Sequence, residues 1–255
     1  NRCPYGCAGC HMAHTHTKGP LTLTSRLLPM AHDRGGDLAD PVLVRRALGE
    51  AKAAGVKSIV WTGGGEPTTH PEWFPLMAHA FELGLEQGLY TMGSLISTTQ
   101  AATIRQWLSW VVVSLDHADA VTYADMKRTV PAMFHRACET VTALSHGRAT
   151  VGVSFLLSAW NYTKALDMLA LSRTLGATYT TFRPLVETSP SDPGVLLGYR
   201  AWVRAAHAGL QALAAQPDVE LDVDRFHEWA DWSGHGYTAC QGPALNTTIT
   251  PDGRL

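Results

Sequence analysis

Three features of the 255-residue sequence predict an α/β fold, a partial (β/α)6 TIM-type barrel of parallel strands with a small C-terminal α/β appendage. Short runs rich in β-branched residues alternate with longer segments of helical apolar spacing. The alternation recurs about six times, counting one strand near the N-terminus. Candidate functional residues follow the strand-like runs, as they do where parallel strands present their carboxyl ends. About six units are too few to close an eight-stranded barrel, and the glycine turn at 63–65 is not the GxGxxG dinucleotide pattern.

The elements follow in order. Residues 11–37 are rich in His, Thr, Gly and Pro without a clean period and read as a long loop. Asp40 to Ala54 has helical apolar spacing, an acidic start and a stop at Gly55. Lys57 to Trp61 is a short apolar run that ends in Thr62-Gly63-Gly64-Gly65, the pattern of a buried parallel strand. Helix 71–87, strand 88–92, helix 98–108 and strand 109–115 come next, then helical segments at 119–127 and 131–146. Strand 150–156, helix 161–175, strand 178–183 and an Ala-rich helix at 199–214 complete the series. The expected division is a core over 1–215 and the start of an extension over 216–255. Because the sequence opens at Asn1 and stops after a Pro-Asp-Gly turn signal, it is expected to continue beyond both ends.

A formal charge of −2 gives no electrostatic footprint for nucleic acid or an anionic membrane. No apolar run approaches the roughly 20 residues of a membrane span. Five cysteines is an odd number, and three of them fall within the first ten residues. That suits metal binding better than disulfides and points to a reducing cytoplasm.

The cluster reads Cys3-Pro-Tyr-Gly-Cys7-Ala-Gly-Cys10. Spacings of four and three place three thiolates in one loop, where Gly6 and Gly9 let the backbone bend. A [4Fe–4S] cluster on three cysteines leaves one iron open to an outside ligand. Zinc is the alternative, with a fourth ligand from His11, His14, His16 or Cys240.

CxxxCxxC is the signature of the radical S-adenosylmethionine (SAM) superfamily, and the chain resembles that family over about residues 3–187. Thr62 to Pro67 looks like its GGEP motif. The resemblance implies that the backbone of Gly63, Gly64 and Gly65 meets the methionyl ammonium of SAM, with Glu66 adding charge. Leu89 to Gly93 is similar to the third-strand TNG element, which places Thr91 in the SAM site, though Met92 stands where Asn is usual. Val113 to Asp116 is similar to the fourth-strand SLD element, in which Ser114 and Asp116 face the ribose and methionine of SAM. Asn161, after the fifth strand, and Arg183, in Phe182 to Leu185 after the sixth, take the remaining cofactor positions. Gly9 departs from the aromatic residue usual before the third cysteine.

Near the C-terminus, Cys240, an alternating run through Leu245, Thr247 and Ile249, and a Pro-Asp-Gly turn suggest a β-hairpin. They resemble the opening of a SPASM or twitch extension, in which Cys240 would ligate an auxiliary Fe–S cluster. The bland reading is a packed cysteine in a small β-appendage. His117, Arg183 and Glu187 are the candidate catalytic residues, because they lie near strand ends. Cys138 is expected to be a packed core thiol, and the tryptophans core or rim residues.

The resemblance implies reductive cleavage of SAM to a 5′-deoxyadenosyl radical, which abstracts a hydrogen atom from a peptide or small molecule. The net reaction would be oxidation, crosslinking or epimerisation. A one-electron donor such as flavodoxin or ferredoxin is the implied partner. A radical SAM methyltransferase and a non-enzymatic zinc-binding interaction module are the alternatives.

Overall fold

The computed structural model describes Cys7, residues 38–185 and residues 193–230. The expected N-terminal strand therefore lies outside the described residues, as do Cys3, Cys10, Glu187, Cys240 and the C-terminal hairpin.

The first helix, α1 (Pro41–Ala53), starts where Asp40 caps it, accepting a hydrogen bond from Val42 N at 2.8 Å, with Pro41 in the first turn. Gly55, at φ 90°, follows its end. Strand β1 (Ser58–Trp61) leads through the glycine turn to α2 (Trp73–Glu82) and β2 (Glu86–Thr91). The helix stops short of the expected residue 87 because Gly84 turns left-handed at φ 68°, and its carbonyl accepts from Lys52 Nζ. A reciprocal Ser97–Gln100 capping box opens α3 (Thr98–Ile104), and β3 (Leu108–Ser114) follows.

Beyond β3 lie α4 (Ala120–Lys127), capped by Asp119, and α5 (Pro131–Ser145). Then come β4 (Thr150–Leu157), α6 (Ala165–Thr174), β5 (Tyr179–Pro184) and α7 (Pro193–Ala214). A two-residue strand, β6 (Val219–Glu220), and α8 (Val223–Ala230) end the described series. The strands form one six-stranded sheet in the order β1-β2-β3-β4-β5-β6, every pair parallel. The predicted α/β architecture of parallel strands is what forms; five of the six described strands are expected ones, and the sixth is β6, which was not expected and stands at the edge beside β5.

Alternation along the strands divides the sheet into two faces. Leu89, Val111, Val113, Val151, Val153, Phe155 and Phe182 point to the face that packs against α2 to α8. Ile59 and Trp61 extend that face under α1 with Leu48, Ala80 and Leu85. The opposite face carries Val60, Tyr90, Trp110, Ser114, Ser154, Leu156, Tyr179, Thr181 and Arg183, in register across the strands. Phe226 of α8 is fully buried in the main core with Trp202 and Leu210 of α7, so this helix is part of the same packed layer.

Candidate functional site at the carboxyl ends of the strands

The glycine turn after β1 is held from below by Glu66. This carboxylate is 4% exposed and gathers four hydrogen bonds. Its Oε1 accepts from Thr68 N at 3.2 Å, Thr68 Oγ1 at 2.5 Å and Thr91 Oγ1 at 2.6 Å. Its Oε2 accepts from Met92 N at 2.6 Å. Glu66 thereby staples the loop after β1 to the end of β2. Thr91 completes the staple by accepting from Gly93 N at 2.9 Å, and Gly93 needs its φ of 76° to make that turn. The carboxylate and the Thr91 hydroxyl are thus both engaged by protein groups.

Above the staple, the backbone of Gly63, Gly64 and Gly65 receives and makes no hydrogen bond among the described residues. Thr62 and Gly63 are exposed. Gly63 is exposed and Gly64 and Gly65 are half-buried, so the donors and acceptors of this turn at a strand's carboxyl end are open to a polar ligand.

A second knot forms where β3 ends. Asp116 sits at φ 65°, a left-handed conformation that Asp tolerates better than most residues. Its Oδ2 takes a 2.6 Å bond from Lys127 Nζ and a 3.1 Å bond from Ser114 Oγ, and its Oδ1 accepts from Leu156 N at 2.9 Å. The Lys127 side chain is 3% exposed, and its ammonium also lies 3.7 Å from Met92 Sδ and 5.3 Å from the centre of the Tyr123 ring. Asn161, in the turn after β4, locks the knot. Its Nδ2 donates to Asp116 O at 3.2 Å and Leu156 O at 2.8 Å, while its Oδ1 accepts from Ser158 N and Ser158 Oγ. All four hydrogen-bonding positions of the Asn161 amide are used within the protein.

Lys127 was not among the residues singled out from the sequence. A signal for it was present: helical spacing puts it four residues after Tyr123, on the face that α4 buries. Met92, the departure from the family pattern, serves the same knot through its sulfur.

His117 is 3% exposed, and its Nε2 has no partner among the described residues. Burial pushes its pKa below the usual imidazole range, outweighing the pull of Asp116 and Asp119, so the ring is neutral near pH 7. Arg183 stands exposed at the end of β5 on the face away from the helices. Cys138 is half-buried against the core, and burial raises its thiol to about 11, the behaviour of a packed thiol. Cys7 is half-buried. The structure therefore brings Gly63–Gly65, Glu66, Thr91, Ser114, Asp116, Asn161 and His117 to one edge of the sheet.

A family model described as the radical SAM superfamily matches residues 1–171. The AdoMet-dependent heme synthase of Methanosarcina barkeri (strain Fusaro / DSM 804) is 26% identical over 186 residues, covering 72% of this chain and 50% of that protein. The chain thus spans about half the length of the curated relative it matches. Streptococcus suis SuiB bound to S-adenosylmethionine is similar in fold at a TM-score of 0.57 and 15% identity, over 86% of this chain and 44% of that one. Native anSMEcpe with bound AdoMet and Cp18Cys peptide is similar at 0.55 and 15%, over 82% and 56%. The cysteine spacing, the glycine turn after β1 and the match across two thirds of the sequence agree, and the chain belongs to the radical SAM superfamily.

Proposed function

We propose that the chain holds a [4Fe–4S] cluster on Cys3, Cys7 and Cys10 and binds SAM along the carboxyl edge of β1–β4, acting as a radical SAM oxidoreductase. The observation that carries this reading is the family match over residues 1–171, which takes in both the cysteine triplet and the glycine turn. The residues present fit the groups. Three thiolates leave one iron without a protein ligand, and the unclaimed backbone of Gly63–Gly65 suits the methionyl ammonium. A cluster held by Cys3, Cys7 and Cys10 would supply the one-electron chemistry that cleaves SAM reductively and so makes hydrogen-atom abstraction from substrate possible.

The chain's own part is binding, orientation and exclusion of stray hydrogen donors. Gly63, Gly64 and Gly65 offer backbone to the ligand, and Glu66 with Thr91 fixes the height of that turn. Ser114 and Asp116 face the ribose and methionine, and Asn161 sets the backbone of Asp116. His117 offers a neutral ring with a free Nε2 beside this site.

The substrate is a peptide or a small molecule. SuiB is known bound to its precursor peptide SuiA, and anSMEcpe to Cp18Cys peptide, which supports a peptide. A heme synthase as sequence relative supports a small molecule. Cys240 would ligate an auxiliary cluster in a SPASM- or twitch-like extension, and a flavodoxin or ferredoxin in the cytoplasm would deliver the electron. No described helix is long and apolar enough to cross a membrane.

Anaerobic reconstitution tests the reading. The expected result is a brown protein with absorbance near about 400 nm and bound iron and sulfide. It should release 5′-deoxyadenosine from SAM when reduced with dithionite, and lose all three properties in a Cys3/Cys7/Cys10→Ala variant. S-adenosylhomocysteine as the SAM product would support the methyltransferase reading instead. Colourless protein loaded with zinc would reduce the chain to a binding module.

A further inference from the structure

Lys127 is a buried charge to which the reading above gives no part. It is the last residue of α4, followed by Arg128 at φ 49°. A lysine at a helix end ordinarily reaches out and keeps its ammonium in water. This one turns inward until its side chain is 3% exposed, a costly placement unless the charge is paired.

Its contacts link two sets of hydrogen bonds. Lys127 Nζ donates to Asp116 Oδ2 at 2.6 Å and lies 3.7 Å from Met92 Sδ. Met92 belongs to the Glu66 staple, since its backbone N donates to Glu66 Oε2. Asp116 belongs to the Asn161 knot, since its carbonyl accepts from Asn161 Nδ2. Contacts therefore run from the loop after β1, across the ends of β2 and β3, to the turn after β4, with Lys127 as the joint between the halves.

The lysine also decides how Asp116 stands. An ionised carboxylate offers about four acceptor sites. Lys127 and Ser114 both donate to Oδ2, and Leu156 N donates to Oδ1, so the remaining place is on Oδ1. The ammonium cancels the charge of a side chain that is 16% exposed and removes its reason to swing toward water.

We propose that Lys127 is a positioning residue for SAM, acting through Asp116: it fixes the carboxylate so that Oδ1 is presented to a hydroxyl of the SAM ribose. This role rests on the reading above, in which SAM lies along the carboxyl edge of β1–β4 with Asp116 toward it.

Equilibrium dialysis of the cluster-loaded full chain against radiolabelled SAM, without reductant, tests the role. Lys127→Met is expected to weaken SAM binding at least about tenfold, and Lys127→Arg, which keeps the charge, to fall in between. In an Asp116→Asn background the same Lys127→Met change should alter binding by less than about twofold, because the carboxylate through which the lysine acts is gone. Sucrose in every cell favours the compact state, and near-UV circular dichroism gives the folded fraction by which each binding constant is corrected. A purely structural lysine would shift that fraction and leave the corrected constant alone. SAM binding within about twofold of wild type in Lys127→Met would therefore overturn the proposal. So would an equal loss in both backgrounds, which would mean that the lysine meets SAM directly. If the wild-type chain itself fails to bind SAM, the functional reading fails; if it binds and the variants do not differ, only the role of Lys127 fails.

Discussion

Lys127 and Asp116 form the most consequential pair in the described structure, because both are withdrawn from water and each satisfies the other. Removing one partner of a buried pair costs more than removing both, since the survivor keeps an uncompensated charge. Lys127→Met should destabilise the fold by about 3 kcal/mol, and Lys127→Met with Asp116→Asn should recover most of that loss in urea titrations. Asn is the right partner substitution because it too tolerates the left-handed backbone of residue 116. His117 makes a prediction in pH. Burial favours its neutral form, so the unfolded chain binds this proton more readily than the folded one. Stability should therefore be full above the ordinary imidazole range near about 6.5 and fall as pH drops below it. His117→Gln should flatten that part of the curve, and a melt series from neutral to acidic pH checks it. Neither the Lys127 pair nor the burial of His117 was legible in sequence, because Asp116 and Lys127 lie on different elements and their meeting depends on how α4 returns to the sheet.

At the scale of elements, boundaries moved where single residues intervened. The sequence pattern carried α2 on to residue 87, yet Gly84 and the reach of Lys52 end it at Glu82 and let β2 begin at Glu86. Strand glycines are the other element-scale device. Gly88 lies in a strand interior, where glycine ordinarily weakens packing, but here its missing Cβ is what seats Trp110. Gly88→Ala should cost about 1–3 kcal/mol by overpacking. Adding Trp110→Leu should return part of it, as thermal melts of the single and double variants would read. Caps are local devices, since Asp40, Ser97 and Asp119 each begin a helix by a hydrogen bond between neighbours in sequence, and of the three the acidic start at Asp40 was read from the sequence.

For the molecule as a whole, one core runs from Met77 in α2 to Phe226 in α8, so the described sheet and its helices should unfold together. Phe226→Ala should cost about 3–5 kcal/mol and lower the midpoint of one shared transition. A separate early transition, seen by circular dichroism and tryptophan fluorescence at different midpoints, would contradict this. The β6 edge and α8 were not legible because a two-residue strand has no period to read. The sequence by itself determined the parallel α/β plan and the family. Strand and helix periods are local, and the cysteine triplet and the glycine turn are contiguous stretches whose chemistry depends on spacing alone. Only the tertiary structure decided that Glu66 and Asn161 spend their hydrogen bonds on the protein and that Lys127 neutralises Asp116. Those facts belong to contacts between elements far apart in the chain, where packing rather than local preference sets which groups meet.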